Sequence, residues 1–236
     1  MTLLTLEGVN RRNGRAPHER VALRDVTLEL DSGELVAVWG KRRSGRSTLL
    51  RVAAGIEPPH SGAVRFQGRD LSARGAKALG HGIGYCKRAL PRGEGRFVLD
   101  KLMVGPRIRG HSHSEAKVRV HAALDRVGAG DCAGRGPGEL DDIEAVRVSL
   151  ARALVLEPAL LLLDEPVTGV ELQERDDVLA LLRSLADEGI AVLMTVAESL
   201  DFSGANRRLS ISGGVLRGEL RPELASVHHL RREMTA

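Results

Sequence analysis

Runs of consecutive apolar residues alternate along this chain with segments whose apolar residues recur every three or four positions. Residues 27–30 (TLEL) and 34–39 (ELVAVW) have strand character and are separated by Asp31-Ser32-Gly33, a turn sequence. After Trp39 a glycine-bounded loop opens into SGRSTLLRVAAG, where Leu49, Leu50, Val52 and Ala53 suit a helix ending at Gly55. AVRFQG, with a turn at Gln67-Gly68, and GIGYC (82–86) are two further short strands. Between about Phe97 and Leu156 the period changes. FVLDKLMVGPRI, SEAKVRVHAALDRVG and ELDDIEAVRVSLARALVLEP carry helical spacing, broken by Gly- and Pro-rich stretches. ALLLLDEP (159–166) has no polar alternation, which predicts a central parallel strand buried on both faces. A helix over about 172–185, a buried strand IAVLMT (190–195) and a closing hairpin of 208–211 with 215–220 around Gly213-Gly214 complete the pattern. It contains no internal repeat or low-complexity tract.

Two of these strands end in candidate chemistry. Gly40 to Ser47 has the spacing G-x-x-x-x-G-[basic]-[ST] of a phosphate-binding loop, in the strand–loop–helix context that such a loop needs. Backbone N–H groups and the following helix N-terminus point at phosphates in such a loop, and Gly40 and Gly45 stand where side chains would collide with them. Lys41, Arg42, Arg43 and Ser44 fill the interval, Arg46 holds the basic position, Ser47 is the expected hydroxyl ligand of Mg²⁺, and Thr48 lies beside it. The basic run at 41–43 also has an ordinary reading as a solvated surface. The second strand delivers Asp164 to the magnesium shell and Glu165 to where an attacking water would sit. The two motifs in this order are far more specific than either alone.

Composition narrows the classes. The 236 residues, 42% of them hydrophobic, can bury a sizeable core. Cys86 and Cys132 fit neither a metal-ligand spacing nor a disulfide framework, so two reduced thiols and a reducing cytosol are expected. No leader pattern opens the sequence. No apolar run exceeds about five residues, against the roughly 20 that span a bilayer, so membrane contact is expected only through a partner. The net charge of +4 comes from interspersed Arg, Asp and Glu, and aromatics for base stacking are nearly absent, which argues against nucleic acid. His111, His113, His228 and His229 have no Cys or acidic partner at a convincing spacing and read as exposed rather than metal-bound.

With these motifs in place, the chain resembles the ATP-binding subunit of ABC transporters over nearly its whole length. SLARALVLEPALLLLDEP (149–166) reads almost as the family's signature helix running into its acidic strand. VALRDVTLELDSGELVAVWG, PPHSGAVRFQGRDLS and SGGVLRGEL also look like the family, especially its lipoprotein-release and macrolide-export branch. The resemblance implies an α/β fold: a P-loop NTPase (RecA-like) core with an N-terminal antiparallel β part and an inserted helical subdomain. Its core would comprise about 1–88 and 157–236, its helical lobe about 89–156. It also implies ATP and Mg²⁺ as ligands, and a head-to-tail dimer with a second ABC ATP-binding chain. Each site of that dimer would join one chain's phosphate loop to the other's signature. A transmembrane permease would be the partner, with the chain peripheral on the cytoplasmic face of the cell membrane.

Several family positions are altered. Arg46 replaces the phosphate-contacting lysine, exchanging a compact ammonium for a planar fork. The signature LSGGQ aligns with Leu140, Asp141, Asp142, Ile143 and Glu144, so three carboxylates would face a polyanion. The Q-loop glutamine aligns with Arg88, the switch histidine with Ala197, the D-loop aspartate with Glu171, and the adenine-stacking aromatic with Asn13 in the loop NRRNGRAPHER. Loss of one preorganised catalytic contact costs on the order of 10²–10³ in rate, about 3–4 kcal/mol. Losses within one catalytic unit do not add. Glu165, the family's general base, is retained. The expectation is an ATP-binding subunit whose hydrolysis is slow or absent. The alternative is an inactive nucleotide sensor or scaffold for a permease complex.

Overall fold

In the computed structural model, the described residues are 1–14, 18–71, 82–87, 96–197 and 204–218. A four-stranded antiparallel sheet has the order β2-β1-β4-β5, formed by β1 (Thr2–Asn13), β2 (Arg20–Asp31), β4 (Ser61–Phe66) and β5 (Arg69–Asp70). The second sheet, of six strands, runs β10-β9-β3-β8-β7-β6. It comprises β3 (Leu35–Trp39), β6 (Ile83–Lys87), β7 (Leu160–Asp164), β8 (Ala191–Val196), β9 (Arg207–Ser212) and β10 (Val215–Arg217). All its pairings are parallel except the β9–β10 hairpin.

Strands β3, β7 and β8 are apolar on both faces because both faces are covered. Val36, Val38, Leu160, Leu162, Ala191 and Leu193 join a core shared with β1, β2 and α1 (Arg46–Ala53). The alternate residues Leu35, Ala37, Leu161, Leu163, Val192 and Met194 pack into a second core with helices α2 (Val98–Ile108), α3 (His113–Arg126), α4 (Asp142–Leu154) and α5 (Leu172–Asp187). Both cysteines are free and buried in this second core, where desolvation pushes the Cys86 thiol up to about 12.

Two departures from the sequence reading concern the N-terminal end. The segment read as the loop NRRNGRAPHER is strand as far as Asn13, and β2 starts at Arg20, seven residues ahead of the TLEL run. Register shifts between Thr2 and Leu4, around Gly8 and at Arg11–Arg12 break the alternation in β1, and at the first of them Leu3 and Leu4 are both buried. The hairpin strand after Gly213-Gly214 ends at Arg217, and the remainder of the expected 215–220 run includes residues outside the described ones. Three strands now end side by side: β3 at Trp39, β7 at Asp164 and β8 at Val196. Brought together at their carboxyl ends, they place the loop, the acidic pair and the residue after β8 in one crevice, where open α/β sheets hold ligands.

Candidate functional site

The loop between β3 and α1 tolerates nothing larger than glycine at its two ends. A Cβ on Gly40 would lie 2.5 Å from the Ser44 hydroxyl and 2.6 Å from the Ile211 carbonyl oxygen. Gly45 has φ 113°, and a Cβ there would come within 2.2 Å of the Ala22 carbonyl oxygen. The loop is tied to the β9–β10 hairpin by the Gly214 N–H, which donates to the Ser44 carbonyl at 2.9 Å. Over it lies a cavity of about 450 Å³ lined by Asn13, Arg20, Arg42, Arg43, Thr48 and Glu165 among others. The buried Ser44 hydroxyl has no hydrogen-bond partner there. A glycine-shaped cradle with an orphaned hydroxyl at the start of a helix fits a phosphate group. Lys41, Arg42 and Arg43 are exposed, as a solvated basic run would be.

The acidic corner opposite is built on hydroxyls. Asp164 Oδ1 accepts from Ser47 Oγ at 3.1 Å and from Thr195 Oγ1 at 3.0 Å. A hydroxyl and a carboxylate facing each other are hard oxygen donors, so Ser47 and Asp164 suit Mg²⁺. Thr195, fully buried in β8, also accepts the Glu165 N–H on its hydroxyl at 3.1 Å. The sequence reading missed this residue, and its signal was a lone polar residue closing an otherwise apolar buried strand.

Arg46 lines the same cavity. Its side chain, only 8% exposed, crosses to the acidic corner, where Nη2 lies 2.5 Å from Glu165 Oε1 and Nη1 donates to the Val196 carbonyl. Glu165 adopts a left-handed backbone (φ 53°), and the Thr168 hydroxyl donates to its second oxygen at 3.4 Å. The two groups singled out from sequence as phosphate contact and general base are thus bound to each other.

The remaining positions lie in several places. Asn13 lines the cavity and donates to Thr48 Oγ1 at 2.9 Å. Ala197 is exposed, and its carbonyl accepts from Trp39 Nε1 at 3.1 Å. Asp141 is the N-cap of α4. Its carboxylate accepts the Glu144 N–H at 2.8 Å while Glu144 accepts the Asp141 N–H at 3.0 Å, a capping box. Arg135 pairs with Glu144 at 2.5 Å. Two of the three carboxylates expected to face a polyanion are therefore turned onto their own helix end. Asp142 is exposed, Leu140 and Ile143 pack against the second core, and Glu171 precedes α5 as its N-cap. Arg88 lies outside the described residues. Among the described residues no group of His, Cys, Asp or Glu forms a metal cluster, and no helix is long and apolar enough to cross a membrane.

The family model described as ABC transporter matches residues 23–168, from β2 through the acidic strand. The chain belongs to the ABC transporter family. The lipoprotein-releasing system ATP-binding protein LolD of Chromohalobacter salexigens is 33% identical over 82% of this chain and 84% of its own length. A sulfate/thiosulfate import ATP-binding protein CysA of Rhodopseudomonas palustris is 41% identical over 71% of this chain but 49% of its own length. The macrolide export ATP-binding/permease protein MacB 1/2 of Paracoccus denitrificans is 31% identical over 90% of this chain and 32% of its own. The chain thus spans about half the length, or less, of several ABC transporter relatives that it matches.

Among solved structures, the ATP-binding cassette MJ0796 in a dimeric post-hydrolysis state bound to ADP and Pi superposes with a TM-score of 0.84 at 21% identity, over 93% of this chain and 98% of that one. The cassette MJ1267 in its ADP conformation gives 0.81 at 23%. At these identities the likeness establishes the ABC cassette fold.

Proposed function

We propose that the chain is the ATP-binding subunit of an ABC transporter, one nucleotide-binding domain with its core at about 1–88 and 157–236 and a helical lobe at about 89–156. It sits on the inner face of the membrane, touches the membrane only through a permease, and pairs with a second ABC ATP-binding chain. The loop from Gly40 to Thr48 holds the nucleotide phosphates, Ser47 and Asp164 hold Mg²⁺, and Glu165 is the residue placed for water activation. We assign cargo recognition to the permease, because relatives of this one fold carry names of sulfate import, lipoprotein release and macrolide export.

The observation that supports this reading is the glycine cradle facing the Asp164–Ser47 pair across one crevice. The occupation of Glu165 by Arg46, with alanine at 197, supports slow hydrolysis. An enzyme of this type turns over at about 10 s⁻¹, and one lost preorganised contact removes about 10²–10³ of that. The chain reconstituted with its permease is therefore expected to hydrolyse MgATP at about 0.1 s⁻¹ or slower, read by phosphate release. Rates near 10 s⁻¹ that vanish in Glu165→Gln would refute impaired hydrolysis. No saturable response of Trp39 emission to millimolar MgATP, with no thermal stabilisation by excess ATP, would leave the scaffold reading.

A further inference from the structure

We propose that Arg46 and Glu165 form a latch that competes with nucleotide, so that a nucleoside diphosphate or triphosphate enters the loop by displacing one anion, the Glu165 carboxylate, from the Arg46 guanidinium. This rests on the proposed function, since it assigns regulation to the same loop.

The geometry carries it in three steps. The first residue of α1 commits the loop's one buried cation, in the cavity over the cradle, to two other elements: the residue after β7, at 2.5 Å, and the last carbonyl of β8. The arginine fork meets the two acceptors from separate nitrogens, Nη2 at the carboxylate and Nη1 at the carbonyl, where a compact ammonium would have to reach both from one point. Glu165 is also held from behind. Its φ of 53° is costly for a side-chain-bearing residue and persists because Thr195 takes its N–H on both the hydroxyl and the carbonyl, while Thr168 approaches its other oxygen. Its carboxylate is thus set towards Arg46 rather than free to swing. Finally, the guanidinium cannot lose its proton. Exchange of one anion for another therefore holds the latch open, and the phosphate oxygens of a nucleotide offer the replacement. Ser44 and the two glycines shape the phosphate cradle beside it.

A latch closed about nine-tenths of the time weakens apparent affinity about tenfold. The test is a double-mutant cycle on the full chain with ADP, which keeps hydrolysis and chain pairing out of the measurement. Trp39 emission and isothermal titration report binding, and circular dichroism melts verify that each protein is folded. Glu165→Gln is expected to tighten ADP about tenfold in the wild-type background and less than threefold in the Arg46→Ala background. Equal tightening in both backgrounds would mean that only a negative charge near an anion had been removed, and would overturn the latch. No tightening in either overturns it too. No ADP binding by any of the four proteins overturns the nucleotide site along with the latch, so the two failures are distinct. Should Arg46→Ala fail to fold, the wild-type chain still decides. The Arg46 side-chain ¹⁵N resonance, assigned by its absence in Arg46→Lys, is expected to shift on saturation with ADP, and an unmoved resonance with ADP bound overturns the proposal.

Discussion

Thr195 holds the acidic corner together with one hydroxyl. It donates to Asp164 and accepts from the Glu165 backbone, with no solvent exposure. Thr195→Val keeps the shape and removes both bonds. Asp164 keeps only the Ser47 donor among those described above, and the Glu165 N–H keeps the Thr195 carbonyl. A buried hydrogen bond lost from one side costs about 1–3 kcal/mol, so the urea midpoint is expected to fall accordingly, with the slope of the transition unchanged. A variant as stable as wild type would show that the Thr195 hydroxyl does not hold the corner together. The meeting of Gly40, Gly45, Ser47 and Asp164 in one crevice was legible from the spacing of the two motifs. The destination of Arg46 was not. The direction of a long side chain depends on where its partner points, and Glu165 points back over the loop through a left-handed φ that no residue type announces.

At the level of elements, legibility followed burial. Strands β7 and β8 and helices α3 to α5 were visible because a two-sided or one-sided core imposes a single period over their length. Strand β1 was hidden by its bulges, and the ragged pattern of Leu3, Leu4, Leu6 and Val9 matches neither template. The start of α4 gained a meaning that alignment alone did not supply. Asp141 and Glu144, expected to face a ligand, also satisfy N–H groups at the helix's own N-terminal end. The Glu144 carboxyl is held below its ordinary value first by the Asp141 N–H and then by Arg135. A lowered carboxyl contributes stability that is present above about pH 4.5 and lost as pH falls through its folded value. Glu144→Gln is therefore expected to be less stable than wild type at pH 7 and to lose less on acidification from pH 5 to 3, read as melting temperature. Parallel curves for the two proteins would exclude Glu144 as a source of acid sensitivity.

On the scale of the whole molecule, the same helix end bears on the pairing proposed above. In a sandwich of two identical chains each loop would meet the partner's α4 N-terminus, and here that N-terminus already carries the Asp141 carboxylate with Asp142 exposed beside it. The helix dipole that would draw a phosphate is answered locally, and the added charge opposes a polyanion. Arg46, drawn to Glu165, weakens the other half of the same contact. Both halves must change for a symmetric pair to close. We therefore expect the wild-type chain at tens of micromolar to remain monomeric in MgATP by light scattering. The combined variant Arg46→Lys, Asp141→Ser, Asp142→Gly, Ile143→Gly and Glu144→Gln should become dimeric on adding ATP and revert on its removal. The signature changes are tolerable to the fold. Serine is as good an N-cap as aspartate, and glutamine at the third position keeps the capping box. The two glycines cost about 1 kcal/mol each in the first turn, and Ile143→Gly also gives up the packing of a partly buried side chain against the second core. Arg46→Lys alone, leaving the capped helix in place, should not dimerise. If it does, the α4 terminus is no barrier and the latch alone keeps the chains apart.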